Sequence, residues 1–262
     1  MKSNAPIKPL TVWDGVYHSF AEAAAEAAGA GFAGPNWLAR STDVLDECLS
    51  AVDLSTPIPP FHMQRSILLP ITVAMMLNRP SKLRILDFGG GLGIGYLTLV
   101  ESIPNHIERI AYTIVEVPRV CAEGRKRIGN RGVTFLDSLP KTAECDLLHS
   151  ASAIQYIEDW KGLLKKFAAL DPEYMLLSDV FAGKIAPFVT LQNYYESRIP
   201  HWFFNIDEFL GECDKLGYQL IMKSYATSRR LDAVDTLPME NFPKGMRLQQ
   251  SLHLLLRRSC RP

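Results

Sequence analysis

The chain has 262 residues, 47% of them hydrophobic, with 28 lysines and arginines balancing 28 aspartates and glutamates. That length supports one large domain with a full core, or a domain with a cap. Zero net charge argues against a broad basic surface for nucleic acid or an anionic membrane, no apolar run reaches the ~18 residues of a membrane span, and the opening MKSNAPIKPLTVWDG lacks the apolar stretch of a secretory signal. Five widely spaced cysteines, Cys48, Cys121, Cys145, Cys213 and Cys260, form no CxxC pair. They read as reduced, mostly packing thiols, so a cytoplasmic protein is expected.

Trp13, Tyr17 and Phe20 stand at near-helical spacing, and the alanine-rich run from Phe20 to Phe32 reads as a helix ending at Gly29 or Gly31. A second helix is predicted from Ser41 to Val52, capped by Ser41 or Thr42. The apolar run Phe61–Leu77 predicts a third, kinked before Pro70. From Leu83 onward strands alternate with helices: strands at Leu83–Phe88, Arg109–Val117, Gly132–Asp137, Glu144–Ser152 and Glu173–Phe181, with helices between most of them. Asn205 or Asp207 caps a further helix that Gly217 stops, and two closing strands flank a turn-rich stretch from about Thr227 to Leu248. This alternation predicts an α/β fold with a mostly parallel sheet covered by helices on both faces. Residues 1–78 are expected to form an N-terminal helical cap, and 79–262 the ligand-binding domain.

The first of those strands runs into LDFGGGLGIG, where five of the seven residues from Gly89 to Gly95 are glycine. In open α/β sheets a ligand binds beyond the carboxyl ends of the strands, and glycines there let it approach the backbone. A phosphate loop, G-x-x-x-x-G-K-S/T, needs a lysine that is missing here. The dinucleotide pattern G-x-G-x-x-G finds Ile94 where its last glycine should stand.

What does fit is an acid two residues ahead of G-x-G-x-G: Asp87, Gly89, Gly91 and Gly93, with Gly90 inside the turn. This resembles the first motif of class I S-adenosylmethionine (SAM)-dependent methyltransferases. The resemblance implies a Rossmann-like, seven-stranded, mostly parallel sheet and SAM as cofactor. A cationic ligand without phosphate suits an acid near the turn. The resemblance also implies that Glu116 and Val117, at the end of the second strand, hold the ribose, and that Asp137 and Ser138 approach the adenine. It places His149 and Ser150, in the fourth strand, and Tyr156 beyond it near the reaction centre.

Three stretches, VWDGVYHSFAEA, ASAIQYIEDW and FVTLQNYYESRIPHWFFNIDEFL, also resemble a smaller family of bacterial methyltransferases from polysaccharide and natural-product gene clusters. That family in turn resembles enzymes that cyclise SAM to azetidine-2-carboxylate and methylthioadenosine, so two reactions stay open: transfer of a methyl group to a small molecule, and attack of the SAM amine on its own Cγ. Trp13, Tyr17, Tyr194, Tyr195, Trp202, Phe203 and Phe204 are aromatic candidates to face a sulfonium. His149, Ser150, Tyr156, Gln192, Tyr194 and His201 are candidates to orient or deprotonate a nucleophile. No metal-ligand cluster is expected.

Overall fold

The structure, a computed structural model, describes residues 11–259 except 195, 227, 231 and 232, so Tyr195 and Cys260 lie outside it. It opens on a strand, Trp13–Tyr17 (β1), where residue spacing predicts a helix. The spacing misleads because Gly15, at φ 79°, carries a bulge between Asp14 and Tyr17. Helix α1, Phe20–Ala25, is capped by Ser19 Oγ, which accepts from the Glu22 N–H at 3.2 Å. It stops short of the glycines because the backbone of Ala28 pairs with that of Arg198. Helix α2 covers Pro35–Asp53, starting at a proline whose φ suits a first turn, well before Ser41. The predicted third helix is two short ones, Pro60–Met63 (α3) and Leu69–Met76 (α4), separated by a 3₁₀ turn at Gln64–Ser66.

The main sheet follows the predicted alternation: Leu83–Phe88 (β2), Ile94–Ser102 (α5), Ile110–Val115 (β3), Pro118–Ile128 (α6), Val133–Leu136 (β4), Leu147–Ala151 (β5), Trp160–Ala169 (α7) and Tyr174–Val180 (β6). Next come Ala182–Gly183 (β7), Phe188–Tyr194 (β8), Ser197–Asn205 (β9), Ile206–Lys215 (α8), Tyr218–Ala226 (β10), Ser228–Arg230 (β11), Ala233–Asp235 (β12) and Ser251–Arg258 (β13). The seven-stranded sheet has the order β10-β13-β6-β5-β2-β3-β4, and β13 alone runs against its neighbours. This is the mixed α/β, mostly parallel arrangement expected from the alternation.

Sheet side chains divide between two apolar layers. One, including Ile85, Tyr112, Leu147 and Leu176, packs with Leu45 and Val73 from the N-terminal helices and Leu97 from α5. The other, including Leu86, Leu148 and Leu177, packs on Phe167 and Phe209 from α7 and α8. At the amino ends of the strands, Arg84 forks onto Asp146, with Nε and Nη2 each 2.9 Å from a carboxylate oxygen. Burial opposes the Asp146 charge, but the Arg84 contacts outweigh it and hold the carboxyl below its usual range. The edge opposite the glycine turn is thereby tied between β2 and β5.

A second sheet, ordered β1-β8-β9-β7, was not foreseen as strands. Residues Phe188–Gln192 of β8 are all buried, so the in-and-out alternation that marks a half-exposed strand is absent. The four cysteines among the described residues are buried, and burial raises each thiol, Cys48 to about 11 and Cys145 and Cys213 to about 12. Among the described residues no helix is long and apolar enough to cross a membrane.

Gly124 of α6 faces Phe135 of β4 so closely that a Cβ there would stand 2.3 Å from the ring. Gly124→Ala is therefore expected to cost about 1–3 kcal/mol through overpacking, read as a lower urea midpoint with an unchanged slope.

Candidate active site

The carboxyl ends of β2, β3, β4, β5 and β6 all lie along one edge of the sheet, because these strands are parallel. The glycine turn leaves β2 there. Gly89, Gly91 and Gly93 have φ of 71°, 57° and 98°, a region L side chains rarely adopt. The three serve different ends. A Cβ on Gly89 would lie 2.5 Å from Ala153 Cβ, and one on Gly93 would lie 2.5 Å from Ile128. A Cβ on Gly91 would meet no protein atom within 4 Å. Two glycines thus let protein pack on protein, while Gly91 faces open space, where a ligand has room.

Asp87 is 1% exposed and does not face that space. Tyr112 donates its hydroxyl to Oδ2 at 2.6 Å, and His149 Nδ1 stands 2.9 Å from Oδ1, near but off the line of a hydrogen bond. A Cβ on Gly90 would fall 2.4 Å from Asp87 Oδ2. The carboxylate sits directly beneath the turn and shapes it from below. The sequence motif suggests that Asp87 favours a cationic ligand directly or through water; its side chain is held beneath the turn by β3 and β5. Burial, with Asp87 beside it, drives the Tyr112 phenol well above its ordinary value and keeps it a donor.

Glu116 follows β3 and faces the turn. Its Oε1 accepts from the Gly91 N–H at 3.1 Å and its Oε2 from the Val117 N–H at 2.8 Å. Burial raises its pKa, although these two bonds work the other way. Val117, Asp137 and Ser138 are exposed near this end of the edge, and Ser138 Oγ reaches Asp137 Oδ1 only at 3.4 Å. Among the described residues neither of these two polar side chains makes a shorter hydrogen bond.

Past β5 the pattern changes. His149 and Ser150 are buried at 1% and 2%, and neither imidazole nitrogen of His149 nor Ser150 Oγ has a hydrogen-bond partner among the described residues. Tyr156 donates to Gln192 Oε1 at 2.6 Å, joining the segment after β5 to the second sheet. Burial pushes this phenol well up. Phe32 packs edge-on against Tyr156, with ring centroids 4.7 Å apart, and tilts over Tyr194 at 5.9 Å. Trp13 is 3% exposed and packs among Phe181, His201 and Phe203. His201 is fully buried, and burial pushes it down to about 3, so it is neutral near pH 7. Tyr17 stands apart from this box, with its hydroxyl donating to Glu26 at 2.8 Å. The structure thus gathers Tyr156, Gln192, Tyr194, His201 and Trp13 on the second sheet's side of the edge. Gly91 and Glu116 meet on the turn side, and His149 and Asp87 lie beneath.

Asp179, near the end of β6, was missed. Its side chain is 13% exposed and accepts from Ser152 Oγ at 2.7 Å and from Ser251 Oγ. Arg65 Nε lies 3.4 Å away. The Arg65 side chain is 62% accessible. Burial opposes its charge, and Asp179, Tyr194 and Tyr156 outweigh that and raise it. The available signal was an acid at the carboxyl end of a buried strand, LLSDVF. A cavity of about 290 Å³ lined by Trp160, Trp202 and Phe204 shares no residue with the turn. Among the described residues no cluster could hold a metal ion.

The strand order and the glycine turn after β2 define the fold of class I SAM-dependent methyltransferases. Solved structures share it. The Burkholderia thailandensis 1,6-didemethyltoxoflavin-N1-methyltransferase, bound to 1,6-didemethyltoxoflavin and S-adenosylhomocysteine, superposes with a TM-score of 0.52 at 16% identity, over 89% of this chain and 94% of its own. The magnesium protoporphyrin IX methyltransferase of Synechocystis, with bound SAM, gives 0.50 at 15% identity, over 76% and 80%. A Haloferax volcanii protein solved with a methyltransferase activator gives 0.51 at 13%, over 86% and 95%. No family model matches the chain, and no curated protein sequence does.

Gly91→Val places a β-branched side chain in the open space over the turn. It is expected to leave the fold in place with about 1–2 kcal/mol of backbone strain, read by urea titration, and to close that space to a ligand, read by calorimetry.

Proposed function

We propose that the chain is a SAM-dependent methyltransferase acting on a small molecule, in the cytoplasm, with the nucleoside of SAM seated on the glycine turn. The observation that carries this is the pairing of Gly91, open to ligand, with Glu116 fixed beside it by the Gly91 N–H. A carboxylate there suits the two ribose hydroxyls, and the absence of a lysine from the turn disfavours a phosphate. The solved relatives in fold that bind SAM or S-adenosylhomocysteine support the same reading.

SAM supplies a methyl group on a good leaving group, so the protein's task is alignment and exclusion of water. Asp87 and Tyr112 keep the turn in shape. Glu116 holds its oxygens towards the turn through two backbone N–H groups. Phe32, Tyr156 and Tyr194 present aromatic surface, which attracts a sulfonium by about 0.5–2 kcal/mol. Residues 1–78 act in this reading as the cap over the domain formed by 79–262.

The test is calorimetry with SAM and S-adenosylhomocysteine, followed by mass spectrometry of incubations with and without candidate acceptors. Binding, with S-adenosylhomocysteine released only when an acceptor is present, is the expected result. Methylthioadenosine forming from SAM alone above the spontaneous rate would replace transfer by cyclisation. Absence of any SAM binding would overturn the reading.

Glu116→Ala should weaken binding by about 1–3 kcal/mol. Because the ribose bonds need the ionised carboxylate, affinity should be full at high pH and fall as pH drops through the raised Glu116 pKa. Glu116→Gln should flatten that profile, as read by titrations across pH.

A further inference from the structure

Strand β9 serves two aromatic compartments. His201 and Phe203 pack in the box around Trp13, and His201 also meets the ring of Tyr156. Trp202 and Phe204 alternate with them along the strand and, with Trp160, line the separate cavity of about 290 Å³. That volume lies at the small end for a ligand site. Trp160 is held by stacking on Phe209 of α8, with ring centroids 5.3 Å and planes 11° apart, and Phe204 meets it edge-on at 5.2 Å. The cavity therefore has fixed aromatic walls.

Its rim is acidic. Glu158, Asp159 and Glu208 line it, against the ammonium of Lys161. Two of these carboxylates answer to the helices. Asp159 caps α7, its Oδ1 accepting from the Gly162 N–H at 2.8 Å, and Glu208 stands in the first turn of α8, so both offset a positive helix end. Glu158 is exposed, and its carboxylate takes part in no hydrogen bond or ion pair among the described residues. One carboxylate is thus left over beside the aromatic walls.

The protein already sets a cation on one of these walls. Lys161 Nζ stands 5.2 Å from the centroid of the Trp160 ring and donates to Glu208 Oε1 at 2.6 Å. An aromatic face attracts an ammonium, and more strongly where water is kept away. The Lys161 side chain is 43% accessible and has a flexible stem, so a better-fitting cation can take its place.

We propose that this cavity binds a small organic ammonium ion, with its alkyl groups against Trp160 and Trp202 and its charge answered by Glu158 and Glu208. The site shares no residue with the glycine turn and does not depend on what that turn binds. Through β9 it has a wall in common with the aromatic box beside Tyr156.

The test is calorimetry of the full chain, at constant ionic strength, with choline and with its neutral isostere, the alcohol in which carbon replaces the nitrogen. Choline should bind about tenfold more tightly than the neutral alcohol. Glu158→Gln, at an exposed position, should weaken choline about threefold, and Trp202→Leu about tenfold. Lys161→Met removes the internal competitor and should tighten choline about twofold or more, which a purely structural lysine would not do. Equal affinity for choline and the neutral alcohol would make the cavity an apolar site and overturn the proposal. So would a lack of choline binding in both the wild type and Lys161→Met. Choline affinity that stays the same in Glu158→Gln and in Lys161→Met puts the binding elsewhere on the protein and refutes the site as well. Should Trp202→Leu fail to fold by circular dichroism, those two variants decide.

Discussion

The site depends on one buried carboxylate. Asp87 lies under the glycine turn with Tyr112 of β3 on one oxygen and His149 of β5 beside the other. A carboxylate this buried is costly unless hydrogen-bonded, so its partners fix its position, and its position fixes where Gly90 and Gly95 can run. The chain thus sets three adjacent strands and the turn above them with a single charge. Glu116 can then meet Gly91, because β3 is held in register with β2 from Leu83–Ile110 through Phe88–Val115. The acid of the turn motif here lies beneath the backbone of the turn.

Much of the fold was readable because its signals are local. Leu83–Phe88, Pro118 opening α6, and Asn205 capping α8 each announce an element through neighbouring residues. What failed was set by distant partners. Trp13–Tyr17 is a strand only because β8 pairs with it, and β8 has no alternation to betray it. The site divides in the same way. Gly91 and Glu116 follow from a motif and a strand end. The orientation of Asp87 depends on Tyr112 and His149, and Asp179 gains its meaning from Ser152, Ser251 and Arg65, which come from three separate parts of the chain.

The N-terminal segment binds the two halves of the edge together. Arg119, in the first turn of α6, donates to Ala33 O at 3.0 Å, while Phe32 next to it packs on Tyr156 and Tyr194. Asn36 reaches Glu196, at the tip of the β8–β9 hairpin, at 2.7 Å. One short stretch therefore touches the Glu116 side and the second sheet's side at once.

The four buried thiols have a practical meaning. Cys48 lies in α2 and Cys121 in α6, both in one apolar layer of the main sheet, while Cys145, just before β5, and Cys213, in α8, lie in the other. Burial keeps all four protonated and shielded at neutral pH, which makes them inert until the surrounding structure opens. Alkylation rates at these positions therefore form a built-in record of local opening. They would separate loosening of the N-terminal helices, at Cys48, from opening of the sheet and its covering helices, without a single engineered label.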